Sequence, residues 1–402
     1  MAGRRHEYVI LLILVCLWNT IDGLKLEQVL ILSRHNIRTP LTARLEDTTP
    51  YKWPQWKNEV GHLTDKGALL ESYMAEYFAE WLNETGLLPR GCPTDDEVFV
   101  YANTRQRTRE SARAFVRGAF GNCSISAYSI DSEDMDPVFN PILRDTSETT
   151  KQKITAEMIQ KLKGLRLDAA YKELNDIIDL KNSDICKSDS FCDFLQGENE
   201  IVYVIGKEPN IVGPLATSNN VMDSFIMSYY EGMADEDVAW GKIVKPEQWA
   251  LLSEIIRENQ NVRFNSTSLA RDVAKPLLKY IKTVFEHNPP RKVTVLFGHD
   301  SNLNSVMSAL GFKYYELPHQ YEATPPGGKI VFQKWRDEDT NRALLKINYV
   351  YQSTDQIRDA SRLSLGSPPL WARLELTECS ADSDGFCPWD QFQKILDAIE
   401  QF

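Results

Sequence analysis

Three times along its 402 residues, the chain passes from an apolar run of high β propensity, through a short polar turn, into a helical pattern. The apolar runs cover residues 26–33, 98–102 and 293–297, and each is predicted to be a strand. After the first run Pro40 prevents an immediate helix, which is predicted to begin near Thr64 instead. Because strands that alternate with helices are typical of a parallel sheet, we expect an α/β unit.

The pattern changes between the second and third runs. Helical periodicity dominates in ITAEMIQKLKGLRLDAAYKELNDIIDL, NNVMDSFIMSYYEGM and EQWALLSEIIREN, and few strand signals are present. We therefore predict an inserted, mainly α-helical cap domain over residues 145–275. The α/β domain then comprises residues 24–144 and 276–402 and includes a hairpin, GGKIVFQKWRD with ALLKINYVYQS, at a sheet edge.

The first 23 residues differ from the rest of the chain. Arg4 and Arg5 precede an apolar run of 11 residues, YVILLILVCLW, which is well short of the roughly 20 residues that a helix needs to cross a bilayer. This order is typical of a secretory signal peptide over residues 1–23, and an uncleaved signal anchor is the alternative. We therefore expect a secreted or periplasmic protein with no stable membrane partner.

The cysteine content agrees with export. The chain has seven cysteines, and Cys16 lies in the apolar run, which leaves six. A zinc site would need C-x-x-C or histidine-rich spacing, which the sequence lacks. Disulfides that close short loops form most easily. The predicted pairs are Cys92 with Cys123, Cys186 with Cys192, and Cys379 with Cys387.

Composition and charge exclude other classes of protein. Lysine and arginine number 45 against 57 aspartates and glutamates, so the formal net charge is −12, which argues against a nucleic-acid partner. With 43% hydrophobic and 25% charged residues, the chain is an ordinary globular protein that can bury a sizeable core. Sequons at Asn83, Asn122 and Asn265 suit a secreted glycoprotein. The sequence leaves the oligomeric state open.

Unusual polar residues follow the predicted strands. The chain has only six histidines, yet two of them come directly after a strand, with arginines and a carboxylate beside them. In α/β sheets, ligands gather at the carboxyl ends of strands, where helix N-termini also present free N–H groups to anions. The residues that could converge there are Arg34, His35, Arg38, Arg107, His299 and Asp300.

Such a set of residues suits phosphoryl transfer, whose barrier falls mainly through positioning and charge stabilisation. Arginine forks match phosphate oxygens bidentately, and a neutral imidazole is a competent nucleophile toward phosphorus. A carboxylic acid can protonate the leaving oxygen and then take a proton from water. The scheme requires no metal and no cofactor, and its partner is a small phosphorylated substrate.

The string RHNIRTP resembles the RHGxRxP signature of the histidine acid phosphatases, branch two of the histidine phosphatase superfamily, and GHDSN resembles the second motif of that family. The strings TTPYKWPQW, MDPVFNP and YYEG, and Asn36 in place of the usual glycine, are similar to the glucose-1-phosphatase group. The likeness extends over nearly the whole chain after the signal segment. It implies a phosphoglycerate mutase-like sheet flanked by helices, with an α-helical cap.

The resemblance also implies a role for each matching position. His35 corresponds to the phosphate-accepting nucleophile and Asp300 to the proton donor. His299 corresponds to the second histidine of the phosphate pocket, and Glu208 to a carboxylate at the substrate entrance. The arginines that correspond to phosphate ligands are Arg34, Arg38 and Arg107.

Several of these candidates have a purely structural alternative. Asp300 directly precedes a helix and could be its N-cap. Arg107 could be a solvated helix arginine, as Arg105 is predicted to be. Three further histidines have no partner pattern and are predicted to be surface or packing residues: His62, His287 and His319.

The sequence therefore predicts an exported, metal-independent acid phosphomonoesterase that hydrolyses a small sugar phosphate of the glucose 1-phosphate type through a phosphohistidine on His35. A phytase-type histidine acid phosphatase is one alternative. A second is a module that binds phosphate or phosphosugars without turnover, although binding alone needs neither a nucleophile nor a proton donor. A third, a mutase, is disfavoured because export separates the protein from intracellular phosphosugars.

Overall fold

The computed structural model describes residues 23–41, 45–188 and 191–400. The predicted signal peptide, residues 1–23, lies outside these described residues except for Gly23. The strands are β1 (Leu24–Arg34), β2 (Val98–Ala102), β3 (Ala127–Tyr128), β4 (Glu200–Val202), β5 (Asn210–Val212), β6 (Val293–Gly298), β7 (Lys329–Asp337), β8 (Arg342–Tyr351), β9 (Leu370–Leu374) and β10 (Cys387–Pro388). The α-helices are α1 (Asp65–Glu84), α2 (Gln106–Phe120), α3 (Glu148–Gly164), α4 (Asp168–Ile178), α5 (Asp184–Ser188), α6 (Pro214–Glu231), α7 (Pro246–Phe264), α8 (Thr267–Glu286), α9 (Asp300–Leu310), α10 (Thr354–Arg358) and α11 (Trp389–Glu400).

The main sheet has the strand order β10-β8-β7-β1-β6-β2-β3, with β9 beside β8. The three strands predicted before polar turns are β1, β2 and β6, and they run parallel with β6 in the middle. The predicted hairpin is confirmed as β7 with β8. Its predicted place at the sheet edge is wrong, because β9 and β10 both pair with β8 and β7 pairs with β1.

Strand β1 is covered by helices on both faces. Val29 and Ile31 lie in one apolar cluster with α1 and α2, whereas Leu30 and Leu32 lie in another with α8, α9 and α11. All four side chains are fully buried. A central strand of this kind needs apolar residues on both faces, which explains its unbroken apolar run. Burial of each side chain stabilises the fold by roughly 1.5–3 kcal/mol.

Helices α3, α4, α6 and α7 share a third apolar cluster, which lies beside the carboxyl ends of the strands and includes Ile37 from the turn after β1. The small sheet of β4 and β5 belongs to the same stretch of chain. The boundary predicted at residue 275 lies inside α8, and this helix contributes side chains to both the helical cluster and the core of the main sheet.

The three predicted disulfides are confirmed. Their Cα–Cα distances are 5.3 Å for Cys92–Cys123, 4.4 Å for Cys186–Cys192 and 5.9 Å for Cys379–Cys387. Among the described residues, no helix combines the length and the apolarity that a membrane crossing requires.

The disulfides predict a ranking of stability losses. Cys92–Cys123 closes a sequence separation of 31 residues and Cys186–Cys192 one of 6. Chain-entropy theory therefore gives a loss of about 4 kcal/mol for Cys92→Ala/Cys123→Ala and about 2 kcal/mol for Cys186→Ala/Cys192→Ala. Urea unfolding of both double variants measures the two losses, and the reverse order would contradict the loop-length account.

Candidate active site

The two histidines that follow strands lie side by side because β1 and β6 are parallel neighbours in register. Arg34 is opposite Gly298 in that register, and the backbone N–H of His35 donates to the Gly298 carbonyl at 3.0 Å. The imidazole ring centroids of His35 and His299 are 5.4 Å apart. The structure thus brings together two residues that are separated by most of the chain.

The third strand end contributes an asparagine and an arginine. The backbone N–H of Asn103, directly after β2, donates to the Phe297 carbonyl at 3.0 Å. Its side-chain Nδ2 lies 2.8 Å from His299 Nε2. Arg107, in the first turn of α2, places Nη2 3.4 Å from His299 Nδ1. All three junctions therefore meet at one buried site.

His35 is held as a neutral imidazole with a free Nε2. Its Nδ1 lies 2.8 Å from the backbone carbonyl of Asn36, and because a carbonyl oxygen only accepts, Nδ1 carries the hydrogen. Burial lowers the pKa of His35 well below its ordinary value, and the charge of Arg107 lowers it further. The ring therefore stays unprotonated in mildly acidic solution, and Nε2 keeps the lone pair that a nucleophile needs.

His299 is also neutral, but it presents the opposite chemistry. The oxygen of the Asn103 amide accepts from two backbone N–H groups, those of Thr104 and Asp136, so the amide nitrogen faces His299 Nε2. Nε2 therefore accepts and the hydrogen is on Nδ1, beside Arg107. Burial and the charge of Arg107 lower the pKa of His299 well below its ordinary value. The Nδ1–H of His299 and the Nη2–H of Arg107 therefore lie side by side, and both can donate to a bound anion.

Two of the candidate arginines are oriented by carboxylates. Arg34 Nη1 donates to Glu322 Oε1 at 3.0 Å, and Arg38 forms a bidentate pair with Asp223 at 2.9 Å for both bonds. Burial lowers the pKa of Arg34, but the nearby carboxylates outweigh this effect and raise it overall, so the guanidinium stays charged. The Nε atoms of Arg34 and Arg38 are buried and have no partner among the described residues.

Arg107 and Arg105 have different surroundings. Arg105 is exposed, and its guanidinium donates to the Glu133 carbonyl at 3.4 Å. Arg107 is partly buried, and its Nε is buried with no partner within the described residues. Burial, with the charge of Arg38, lowers the pKa of Arg107 to about 10, so it remains a cation in neutral and acidic solution. A buried guanidinium of this kind is a binding site for an anion.

Asp300 begins α9 and does not cap it. The N-cap position belongs to His299, whose backbone N–H donates to Asn302 Oδ1 at 2.9 Å. Asp300 Oδ2 lies 3.4 Å from Arg34 Nη2 and accepts from Gln260 at 3.2 Å. Burial raises the pKa of Asp300, but the charges of Arg34 and Arg38 outweigh it and hold the pKa below the ordinary value of 3.8. The carboxylate is therefore ionised while the pocket holds no anion.

Glu208 lies in the loop between β4 and β5, on the helical side of the site. Its Oε2 pairs with Arg263 Nη2 of α7 at 3.2 Å, and its side chain is 36% exposed. Burial raises the pKa of Glu208 and the charge of Asp300 raises it further, which together outweigh the opposite effect of Arg263. The role of Glu208 at the substrate entrance stays a prediction.

Several residues of the site were missed by the sequence analysis. Asn103 carried a signal, because it directly follows a strand as His35 does. The others lie far along the chain from the groups they contact, in helices or loops without a motif: Asp223, Glu322, Gln260 and Arg263. In the described part of the chain, no cluster of histidine, cysteine or carboxylate side chains has the arrangement of a metal site.

The geometry can bind a phosphate group and attack it. The charges of Arg34, Arg38 and Arg107 all act on His35, whose ring lies beside that of His299. Arg107 contacts His299, and Asp300 contacts Arg34. The set therefore supplies a nucleophile, charge stabilisation for an oxyanion, and a carboxyl group for proton transfer.

Comparison with known proteins gives the class. The family model of the histidine phosphatase superfamily (branch 2) matches residues 25–184 and 247–351. A glucose-1-phosphatase from Providencia rettgeri is 43% identical over 385 residues, which cover 94% of this chain and 92% of that protein. The chain therefore belongs to branch 2 of the histidine phosphatase superfamily, and it is a histidine acid phosphatase.

More distant relatives are phytases. Phytase AppA from Escherichia coli is 31% identical and covers 93% of this chain and 91% of its own length. The solved structure of Hafnia alvei phytase in complex with myo-inositol hexakis sulphate has a TM-score of 0.86 and 29% identity, with coverage of 94% of this chain and 97% of that one. The α/β fold with a helical cap that the sequence predicted agrees with these relatives.

Arg107 and Arg105 form a matched pair for testing the arginine cluster. Arg107→Ala removes a desolvated charge that faces the pocket, so we expect kcat/KM for a phosphate monoester to fall by roughly 100-fold or more. Arg105→Ala removes an exposed charge two residues away, so we expect a change below about twofold. Steady-state kinetics of both variants measures the difference, and equal losses would remove Arg107 from the phosphate site.

Proposed function

We propose that the protein is an exported acid phosphomonoesterase that hydrolyses a small sugar phosphate of the glucose 1-phosphate type. The observation that carries the proposal is the state of His35: a backbone carbonyl fixes its hydrogen on Nδ1, and burial and the charges of three arginines keep the ring unprotonated. A module that only binds phosphate would not need this arrangement. The sugar-phosphate preference is supported by the 43% identity to glucose-1-phosphatases.

In the first step, His35 Nε2 attacks phosphorus and the bond from phosphorus to the leaving oxygen breaks. Protonated Asp300 donates its proton to that oxygen, so the sugar leaves as an alcohol. The guanidinium groups of Arg34, Arg38 and Arg107 stabilise the charge on the other phosphoryl oxygens. His299 donates its Nδ1–H to the same group of oxygens.

In the second step, water attacks the phosphohistidine. The Asp300 carboxylate takes a proton from that water, the phosphorus–nitrogen bond breaks, and inorganic phosphate is released with His35 neutral again. Asp300 thus alternates between acid and base. Charge stabilisation comes entirely from arginines and histidine, so we expect turnover to persist in EDTA.

The low pKa of Asp300 is compatible with an acid role. Arg34 and Arg38 hold this carboxyl group ionised until a phosphate monoester dianion enters and compensates their charge. The pKa of Asp300 then rises, and the side chain takes up a proton as substrate binds. Acidic solution favours that uptake, which accounts for an acid phosphatase.

Substrate choice is proposed to depend on the helical cap, residues 145–275. Glu208 and its ion-pair partner Arg263 belong to the cap, and we propose that Glu208 lies at the substrate entrance. A carboxylate at the entrance suits a neutral sugar on the phosphate better than a ring that carries many phosphates. The phytase relatives at 31% identity support the second candidate, an enzyme for inositol phosphates. Export is supported by the N-terminal sequence pattern and the three disulfides.

His35→Ala tests the proposal directly. We expect turnover of glucose 1-phosphate, inositol hexakisphosphate and para-nitrophenyl phosphate to be abolished, while phosphate still binds because the arginines remain. The control is His287→Ala, whose exposed side chain lies outside the site. Rates at acidic pH with EDTA present, for all three substrates, also rank the substrate classes. Activity retained in His35→Ala would overturn the phosphohistidine mechanism, and inactive wild-type protein would favour a binding module.

Asp300→Asn tests the proton donor. We expect kcat for glucose 1-phosphate to fall by about 100-fold or more, and kcat for para-nitrophenyl phosphate to fall much less, because an aryl leaving group needs little protonation. Equal losses on both substrates would contradict the role.

The same variant tests proton uptake. In wild-type protein the pKa of Asp300 lies below 3.8 without phosphate, and we expect bound phosphate to raise it. The affinity for phosphate should therefore rise as the pH falls from the pKa of the complex toward the pKa of the free protein. Asp300→Asn should lose this component and keep only the titration of phosphate itself. Calorimetric titration with inorganic phosphate across that pH range measures both profiles.

A further inference from the structure

An ion pair with no exposed surface lies behind the segment that carries His35. Lys329 Nζ and Glu71 Oε1 are 2.6 Å apart, and both side chains are 0% exposed. Lys329 also lies 5.2 Å from the ring centroid of Phe297 and 5.8 Å from that of Phe115. Two apolar residues of similar volume often stabilise a core as well as a buried ion pair does. Stability alone therefore does not account for these charges.

The other bonds of the pair reach both sides of the nucleophile. Glu71 Oε2 accepts from the side-chain amide of Asn36 at 3.0 Å, and Lys329 Nζ donates to Ser33 Oγ at 2.8 Å. Ser33 and Asn36 are the residues on either side of the Arg34–His35 dipeptide. The ion pair thus clamps the short segment whose side chains bind and attack phosphate.

Asn36 is the residue through which this clamp reaches His35. Its side-chain Oδ1 accepts from the Ile37 N–H at 2.9 Å, and its own N–H donates to Ser111 Oγ at 3.1 Å, so both the amide and the peptide are fixed. Its carbonyl accepts the Nδ1–H of His35 at 2.8 Å. Gly327 packs directly against this amide and has a φ of +69°, and a Cβ there would overlap Asn36 Nδ2.

We propose that Glu71 and Lys329 are positioning residues for the phosphoryl-transfer reaction: through Asn36 they fix the carbonyl that keeps the hydrogen of His35 on Nδ1 and leaves Nε2 free to attack phosphorus. The proposal rests on the function proposed above. Without the clamp the Asn36 peptide can rotate, and the tautomer with its hydrogen on Nε2 becomes populated. That tautomer has no lone pair directed at phosphorus.

A charge-free double variant tests the proposal without leaving an unpaired charge in the core. Glu71→Leu/Lys329→Met should fold with a modest loss of thermal stability, because it exchanges a buried ion pair for apolar side chains but leaves the Asn36 amide without its acceptor. We expect kcat to fall by roughly 10- to 100-fold, since a misplacement of about 1 Å can cost about 100-fold. KM should change by less than about threefold, because none of the contacts described for Arg38, Arg107 and His299 involves Glu71 or Lys329.

The matched control is Glu97→Leu/Lys292→Met. Lys292 Nζ and Glu97 Oε1 are 2.9 Å apart at the amino ends of β2 and β6, far from the strand ends that form the site. This variant should leave kcat unchanged. A charge-free variant at Glu71 and Lys329 that folds and keeps wild-type kcat would overturn the proposal.

The tautomer of His35 is the most direct measurement, because a purely structural role of Glu71 and Lys329 would leave it unchanged. The chain has six histidines, so ¹⁵N spectra of histidine-labelled protein are simple, and His35→Ala assigns the His35 signals. Wild-type protein should show His35 with its hydrogen on Nδ1 alone. The double variant should show a mixture of tautomers, and an unchanged His35 signal would overturn the proposal.

Asn36→Gly provides a second, independent variant that keeps the carbonyl but removes the amide that Glu71 holds. It should lower kcat on its own and add little further loss in the Glu71→Leu/Lys329→Met background, because both changes break one chain of contacts. Losses that multiply would contradict the proposal. Should the double variant not fold, the kcat and the His35 tautomer of Asn36→Gly decide the question alone.

The two proposals fail in different ways. Full activity in His35→Ala would overturn the proposed function. Loss of activity in His35→Ala together with unchanged kcat and tautomer in the clamp variants would leave the proposed function intact and overturn only the role of Glu71 and Lys329.

Discussion

The parallel pairing of β1 with β6 is the constraint on which the site depends. It places the ends of two strands side by side, so that His35 and His299 meet although the chain between them forms the whole helical cap. The pairing is held by apolar burial on both faces of the sheet, with α1 and α2 on one side and α8, α9 and α11 on the other. The polar residues of the turns contribute chemistry, and the apolar residues of the strands decide where that chemistry occurs.

Burial strengthens the interactions between the charged groups of this site. Three guanidinium groups in one buried space would repel one another, and Glu322, Asp223 and Asp300 offset that repulsion while they orient Arg34 and Arg38. Arg107 has no carboxylate partner among the described contacts, and its pKa is lowered. A bound phosphate group would therefore gain the most electrostatic stabilisation from Arg107. Burial and the same positive charges keep both histidines neutral, and the positive charges keep Asp300 ionised. Burial and one cluster of arginines together set the protonation state of the other reacting groups.

Much of this could be predicted because the informative signals are local. At two of the three junctions a strand, a polar turn and a helix follow one another directly, and the motif residues lie close to the strand ends. The disulfides were predictable because their loops are short. The edge position predicted for the β7–β8 hairpin was wrong, since β9 and β10, short strands far along the chain, cover β8. Asn36, which stands in place of the usual glycine, donates its side-chain amide to Glu71, a contact that no local pattern predicts.

By itself, the sequence determined the α/β class, the strand ends that carry function and the residues that could accept and cleave a phosphate ester, because these follow from local spacing and from the chemistry of each side chain. Only the tertiary structure decided which partners hold those residues. Glu322 is 288 residues from Arg34, Asp223 is 185 from Arg38, and Lys329 is 258 from Glu71. Residues so far apart in the chain come into contact only once the sheet and its core have formed, so no local sequence pattern encodes these contacts. The contacts in turn determine the tautomer and the charge of the reacting groups.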